Sequence, residues 1–171
     1  MILRTASLVC LLATACMAAP PPELARRIER ETPAGCTVYW FLVIQLYRAE
    51  LWSDATALPG EEFGLTLTYK NAFSSKQLVE ASIDEMARMS GRPADDFGAI
   101  RAELAAAMHP VRRGDRYTAW RNQSGQVELS LNGEPTGLLT VDGDLFLDIW
   151  LGPGTRYPQR RNILLAGTCH D

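Results

Sequence analysis

The sequence is short of the residues on which much protein chemistry depends. Lysine is nearly absent: Lys70 and Lys76 are the only two, and the remaining basic side chains are arginines. With 17 basic against 20 acidic residues the formal charge is −3, and no basic run exceeds pairs such as Arg112-Arg113. That argues against a nucleic-acid-binding surface, which needs clustered cations along the phosphate backbone. Histidine occurs twice, as His109 and His170, and no HExxH, CxxC or CxxCH motif is present. Cys169-His170 are adjacent rather than spaced as a chelating pair, so a zinc site finds no support. Neither a GxGxxG after a strand, a P-loop nor a GxSxG elbow occurs, which removes the common nucleotide-binding and hydrolase signatures. Internal repeats and low-complexity linkers are also missing.

What remains is a chain of 171 residues, 47% hydrophobic and 22% charged. That suffices for one domain with a proper core. Its clearest signal is at the start. Residues 1–18 carry Arg4, then an apolar run from about Ala6 to Ala15, then small residues before Pro20-Pro21-Pro22. This is the layout of a cleaved secretory signal peptide. The run falls short of the ~20 residues that span a bilayer. Cleavage after Ala18 places Cys16 at −3 and Ala18 at −1. Lipid attachment at Cys16 is a minor alternative, weakened by Ala13 where a lipobox carries a large aliphatic residue. Retention as an uncleaved anchor is another. The expected destination is periplasmic or secreted, with no membrane span once the signal is removed. Of four cysteines, Cys10 and Cys16 lie inside the signal. Cys36 and Cys169 survive, and two cysteines in an oxidising compartment suggest one disulfide. Two unrelated buried thiols are the alternative.

After a leader spanning 19–34, in which Glu23 to Arg30 reads as a short amphipathic helix, the domain occupies 35–171. Residues 36–52 are dense in β-branched and aromatic side chains and predict one or two strands. Pro59-Gly60 marks a turn. FGLTLTY, 63–69, alternates Leu65, Leu67 and Tyr69 against Thr66 and Thr68, the pattern of a half-buried strand. Ser74-x-x-Gln77 is a capping box opening a helix with Leu78, Val79, Ile83, Met86 and Ala87 on its apolar face. A second helix over about 94–108 aligns Phe97, Ile100, Leu104 and Met108 and stops at His109-Pro110. Strands at 116–121 and 126–131, the hairpin signal Asn132-Gly133 and a strand to about Thr140 follow. Helices over DLFLDIWLG and 157–166 close the chain. Strands followed by helices, twice over, predict an α+β domain: an antiparallel sheet with helices gathered on one face.

Side chains that carry chemistry are scattered. The pairs Asp95-Asp96, Glu61-Glu62 and Asp84-Glu85 read as solvated faces, because sequence neighbours on a helix point apart. His109 reads as a helix-end residue favouring the negative pole of the dipole. Arg113-Gly114-Asp115 fits the entry to a strand. Asn122-Gln123-Ser124 is a glycosylation sequon. The aromatics Tyr39, Trp40, Phe41 and Trp52 read as core.

In order along the chain stand LYRAELW (46–52), LTLTYKNAFSSKQLVEASIDEM (65–86), VRRGDRYTAW (111–120), LSLNGEPTG (129–137), DIWLG (148–152) and RRNILLAG (160–167). This ordered set resembles the bacterial, exported branch of the chalcone isomerase-like family, over about residues 35–167. The resemblance implies an open-faced β-sandwich: a large antiparallel sheet covered on one face by helices, with a ligand cleft between the layers. It also places the family's reactive positions. The plant isomerases carry a tyrosine and an asparagine that organise water and substrate; these fall on Leu78 and Glu85. A strand threonine upstream of Tyr47 falls near Leu42. The arginine of a Gly-x-Arg-Gly loop belongs near Gly35, where this chain reads AGCTV. The resemblance therefore implies the scaffold without the isomerase machinery, with Tyr47 or Tyr69 as partial substitutes. The cleft residues it points to are Leu42, Tyr47, Leu78, Ser82 and Glu85, with no catalytic residue assigned.

Three functions are open. One is a non-catalytic binding protein holding a small apolar or amphipathic molecule, a fatty acid or a flat ring such as haem, with no cofactor required. Another is an isomerase or lyase on an unknown substrate, using Glu85 with Tyr47. The last is a structural or partner-binding envelope protein. An open apolar cavity favours the first, a pocket around a perturbed carboxylate the second, and a filled cleft the third. Oligomeric state is not legible.

Overall fold

A computed structural model describes residues 19–170 of the chain. The expected signal segment 1–18 lies outside the described residues. The strands form one six-stranded antiparallel meander in the order β1 (Gly35–Phe41), β2 (Ile44–Trp52), β3 (Phe63–Tyr69), β4 (Arg116–Arg121), β5 (Val127–Leu131) and β6 (Glu134–Leu139). The dense stretch 36–52 is thus two strands, divided by a two-residue turn at Leu42-Val43 that carries none of the usual turn residues. The β5–β6 hairpin follows the rule: Asn132 and Gly133 take φ values of 54° and 92°, the left-handed pair that a tight hairpin with right-twisted strands demands.

Two helical pairs lie on one face of the sheet. Between β3 and β4 the chain inserts α1 (Ser75–Ser90), a 3-10 turn at Ala94–Phe97 and α2 (Gly98–Ala107). After β6 come α3 (Gly143–Leu151) and α4 (Pro158–Leu165). The capping box is formed: the Ser74 hydroxyl accepts from the Gln77 N–H and the Gln77 side chain accepts from the Ser74 N–H. Gly91 closes α1 in the left-handed conformation. Val79, Ile83 and Met86 on α1, Ile100 and Leu104 on α2, and Phe146 and Trp150 on α3 pack onto Ala49, Leu51, Leu65 and Leu129 of the sheet. Helices reach both sheet edges at contact distance because glycine stands there. A Cβ on Gly35 in β1 would meet the Leu164 carbonyl oxygen of α4 at 2.1 Å, and one on Gly137 in β6 would meet the Ala107 Cβ of α2 at 2.5 Å. The architecture is the expected α+β open-faced sandwich.

Two local expectations are corrected. Residues 23–30 do not form a helix. They make hydrogen-bonded turns over 22–27, led by Leu24 and Ala25 N–H groups donating to the Pro21 carbonyl. Eight residues behind three prolines are too few to sustain a helix without tertiary support. The apolar face of that segment is nonetheless used: Leu24 and Ile28 bury against Trp52 and Trp120 on the far face of the sheet. That strap is also why β3 is not half-buried. Thr66 has no exposure and its hydroxyl accepts from Trp52 Nε1 at 3.2 Å and donates to Glu50 at 3.2 Å. Arg27 stacks over Trp120 and pairs with Glu128 at 2.7 Å, holding the strap down.

The two ends of the domain meet. Cys36 N–H donates to the Thr168 carbonyl and His170 N–H to the Cys36 carbonyl, so the tail adds to the free edge of β1. Cys36 and Cys169 are disulfide-bonded across that pairing, with Cα atoms 4.3 Å apart.

Candidate functional site

Between the sheet and the helices α1 and α3 lies a cavity of about 380 Å³. Pleating dictates its floor. Inward positions of adjacent strands supply Leu65, Leu67, Ala119 and Leu129, and small Ala119 leaves room where a larger residue would fill the space. Leu78, Ala81 and Ser82 from α1 and Phe146, Ile149 and Trp150 from α3 form the roof. The walls are mainly apolar, and Gln77, Asp84, Glu85 and Arg156 are the amide and charged side chains among the lining residues.

A row of phenols crosses the cavity on four neighbouring strands. Tyr39 pairs in register with Tyr47, and Tyr47 with Tyr69. Ring centroids are 5.1 Å apart for Tyr39 and Tyr47, 5.7 Å for Tyr47 and Tyr69, and 6.5 Å for Tyr69 and Tyr117. The first contact is stacked and the other two are edge-to-face, and both geometries favour the row beyond area burial alone. Burial pushes all four hydroxyls above the ordinary tyrosine range, so each is a neutral donor at physiological pH. Their partners differ. Tyr47 Oη accepts from Trp150 Nε1 at 3.0 Å. Tyr117 Oη accepts from the His109 N–H at 2.6 Å and donates to the Ala107 carbonyl at 3.1 Å. Tyr39 Oη is buried with no hydrogen-bond partner.

The five residues expected in the cleft divide four to one. Tyr47, Leu78, Ser82 and Glu85 line the cavity. Leu42 does not. It sits at the tip of the β1–β2 turn, 85% exposed with φ of 54°, and the wall positions at that end belong to Phe41 and Leu46. The turn lies one residue beyond the last inward-facing position of β1, Phe41, so the expected threonine position falls off the strand. Ser82 brings no free hydroxyl, since its Oγ donates to the Leu78 carbonyl at 2.9 Å within α1. Glu85 is no bare carboxylate either. It stands between Arg88, at 2.8 Å, and Arg156, at 2.5 Å. Gly35, where the arginine loop of an isomerase belongs, packs against α4 and takes no part in the cavity.

Sequence reasoning missed the phenol row and Arg156. Tyr39 reads as core, and core it is by exposure. What marks it out is the register, since Tyr39, Tyr47 and Tyr69 fall opposite one another once β1, β2 and β3 are paired. Arg156 follows α3 in an irregular stretch and carries no local signal.

No protein-family model matches the sequence, and no curated protein matches it. Solved structures do. One is a fatty-acid binding protein of Arabidopsis thaliana, which superposes with a TM-score of 0.59 at 10% sequence identity, covering 78% of this chain and 86% of the plant protein. At that identity the likeness speaks for the fold alone: the chain has the open-faced β-sandwich of the chalcone isomerase-like fold.

Proposed function

We propose that this chain is a non-catalytic binding protein, working outside the cytoplasm, that holds an apolar or amphipathic small molecule in the cavity between sheet and helices. The observation that carries the reading is the open, mainly apolar cavity of about 380 Å³, within the size range of small-molecule sites. A filled cleft would have favoured a structural role. An acyl chain suits the mainly apolar walls of this cavity. The fatty-acid binding protein that shares the fold supports the same ligand class. For an amphipathic ligand the orphan Tyr39 hydroxyl offers a donor inside the cavity, and the Arg156 guanidinium, paired with Glu85, offers a cation. The Cys36–Cys169 bridge and the layout of residues 1–18 support export.

Against chalcone isomerisation stand the matched positions. Leu78 cannot hydrogen-bond, and Glu85 is held by two arginines. Each lost oxyanion-type donor typically costs about 2.7–4 kcal/mol of transition-state stabilisation, so several losses together would erase most of a rate enhancement. The test uses purified protein in two assays. A fluorescent fatty acid should bind, be displaced by unlabelled fatty acid, and bind at least about tenfold more weakly to Ala81→Trp, which adds an indole to the cavity roof. A hydroxychalcone should show no absorbance change beyond buffer. Turnover abolished by Tyr47→Phe or Glu85→Gln would overturn the non-catalytic reading. Absence of any fatty-acid binding would overturn the ligand class.

A further inference from the structure

The β1–β2 turn breaks two rules at once. Its five residues Trp40, Phe41, Leu42, Val43 and Ile44 are all large and apolar, and they are 42%, 59%, 85%, 88% and 51% exposed. Consecutive apolar side chains in water are the exception on a domain surface. The turn itself also runs against its backbone. Leu42 takes φ of 54°, a conformation that glycine or asparagine adopts readily and a bulky side chain does not. The other tight hairpin of the same sheet uses Asn132-Gly133. Neither packing nor turn chemistry accounts for Leu42-Val43. Side chains kept at a strained, solvated tip point to a use outside the domain's own core.

The surroundings identify the partner. β1 ends and β2 begins beside the close of β3, where the Lys70 N–H donates to the Leu46 carbonyl and Asn71 Nδ2 to the Gln45 carbonyl. The turn leading into β4 joins them, as the Gly114 N–H donates to the Tyr69 carbonyl. This end of the sheet therefore displays Lys70, Arg112 and Arg113, with Lys76 in the first turn of α1 just beyond. Both lysines of the chain stand here, although its formal charge is −3. The one carboxylate within the turn, Asp115, accepts from the Arg112 N–H at 2.7 Å and from Asn132 Nδ2 at 3.0 Å. A second copy of the chain docked tip to tip would bring these cations face to face. A finger one hairpin wide offers a protein partner no groove. An apolar tip flanked on its β3–β4 side by Lys70, Arg112 and Arg113 is an arrangement suited to the boundary between acyl chains and anionic headgroups.

We propose that residues 40–44 insert into the surface of an anionic lipid bilayer, with Lys70, Lys76, Arg112 and Arg113 against the headgroups. Phe41 belongs both to the exposed tip and to the cavity lining, so the seated hairpin places one side of the cavity opening at the membrane. The inference rests on the hairpin and its cations and stands whether or not the cavity holds a fatty acid.

The experiment uses the purified chain and vesicles of one part phosphatidylglycerol to two parts phosphatidylcholine. Trp40 is the exposed one of the four tryptophans, since Trp52, Trp120 and Trp150 are buried. Its emission should shift to the blue on adding vesicles and be quenched by lipids brominated on the acyl chain, and Trp40→Phe should lose that quenching. The double variant Leu42→Asp with Val43→Asp alters side chains that the fold does not bury. It should keep the wild-type circular dichroism and bind the vesicles at least about tenfold more weakly. Raising salt from about 50 to 500 mM, or replacing phosphatidylglycerol with phosphatidylcholine, should weaken binding by a similar factor. Trp40 left unquenched, or a double variant that binds like wild type, would overturn the proposal. So would a concentration-dependent dimer that the double variant abolishes in the absence of lipid, which would make the tip an interface between copies.

Discussion

Tyr39 is the residue at which burial and hydrogen bonding disagree. It is 1% exposed, its ring is stacked on Tyr47, and its hydroxyl has no partner. An unsatisfied buried hydroxyl costs about 1–3 kcal/mol. Tyr39→Phe should therefore raise the stability of the free protein by an amount in that range, read as a higher urea midpoint at unchanged slope. The same variant should weaken an amphipathic ligand and leave a pure hydrocarbon unaffected. A variant less stable than wild type would mean that the hydroxyl already has its partner in the free protein. The phenol row has a second consequence, at high pH. Burial raises the folded-state pKa of Tyr39, Tyr47 and Tyr69 above the unfolded value of 10.0. Below that value both states keep their protons and stability does not vary through these groups. Above it the unfolded chain ionises while the folded one does not, so stability falls, by up to about 1.4 kcal/mol per pH unit for each phenol. Urea midpoints measured from pH 8.5 to 11 should turn down near pH 10, and Tyr69→Phe should flatten the descent by about a quarter to a third, Tyr117 being raised as well. A flat profile would mean that water reaches the row.

Among the elements, the ones legible in sequence were those whose instructions are local. The capping box at Ser74-Gln77, the glycine after Ser90, the Asn132-Gly133 turn and the apolar stripes of α1 and α2 act within a few residues, and each element formed where its signal stands. What was not legible depended on partners far along the chain. Burial of Thr66 on the outer face of β3 depends on Leu24 crossing the sheet some forty residues away in sequence, and the helix expected at 23–30 dissolved into turns for the same reason: the sheet, not helical propensity, shapes that strap. The break between β1 and β2 was hidden because Leu42-Val43 carries no turn chemistry, and that concealment also misplaced Leu42 in the cleft. The candidate site follows the same division. Leu78, Ser82 and Glu85 share the helical face announced by the capping box, whereas the phenol row exists only after β1, β2, β3 and β4 are registered. The turn supplies a test of its own. Leu42 holds φ of 54°, which costs a non-glycine residue roughly 1–2 kcal/mol. Leu42→Gly should therefore stabilise the hairpin by about 1 kcal/mol in chemical denaturation. A loss of stability would mean that the leucine side chain packs on its neighbours after all.

The whole molecule is a sheet whose two ends are fastened together. The Cys36–Cys169 bridge closes a separation of 133 residues and ties the tail to the edge of β1. In the chain-entropy account a loop of that length is worth about 5 kcal/mol, less any strain in the folded state. Reduction under native conditions should lower the melting temperature by several degrees or more, and Cys36→Ala with Cys169→Ala should reproduce the reduced value. Two titratable thiols in unfolded, unreduced protein would contradict the bridge. With its ends tied, helices packed on both sheet edges at Gly35 and Gly137, and a strap across the outer face, the described residues cover both faces of the sheet. Between the layers lies the cavity under α1 and α3, and its occupant decides the proposed function. The most direct measurement is a mass spectrum of the organic extract from freshly purified protein, taken beside a native mass spectrum of the same sample with and without added fatty acid. An acyl lipid in the extract, or a one-to-one complex with the added fatty acid, is the expected result, with loss of either in Ala81→Trp. An empty extract, no complex at any fatty-acid concentration and an Ala81→Trp variant indistinguishable from wild type would contradict it.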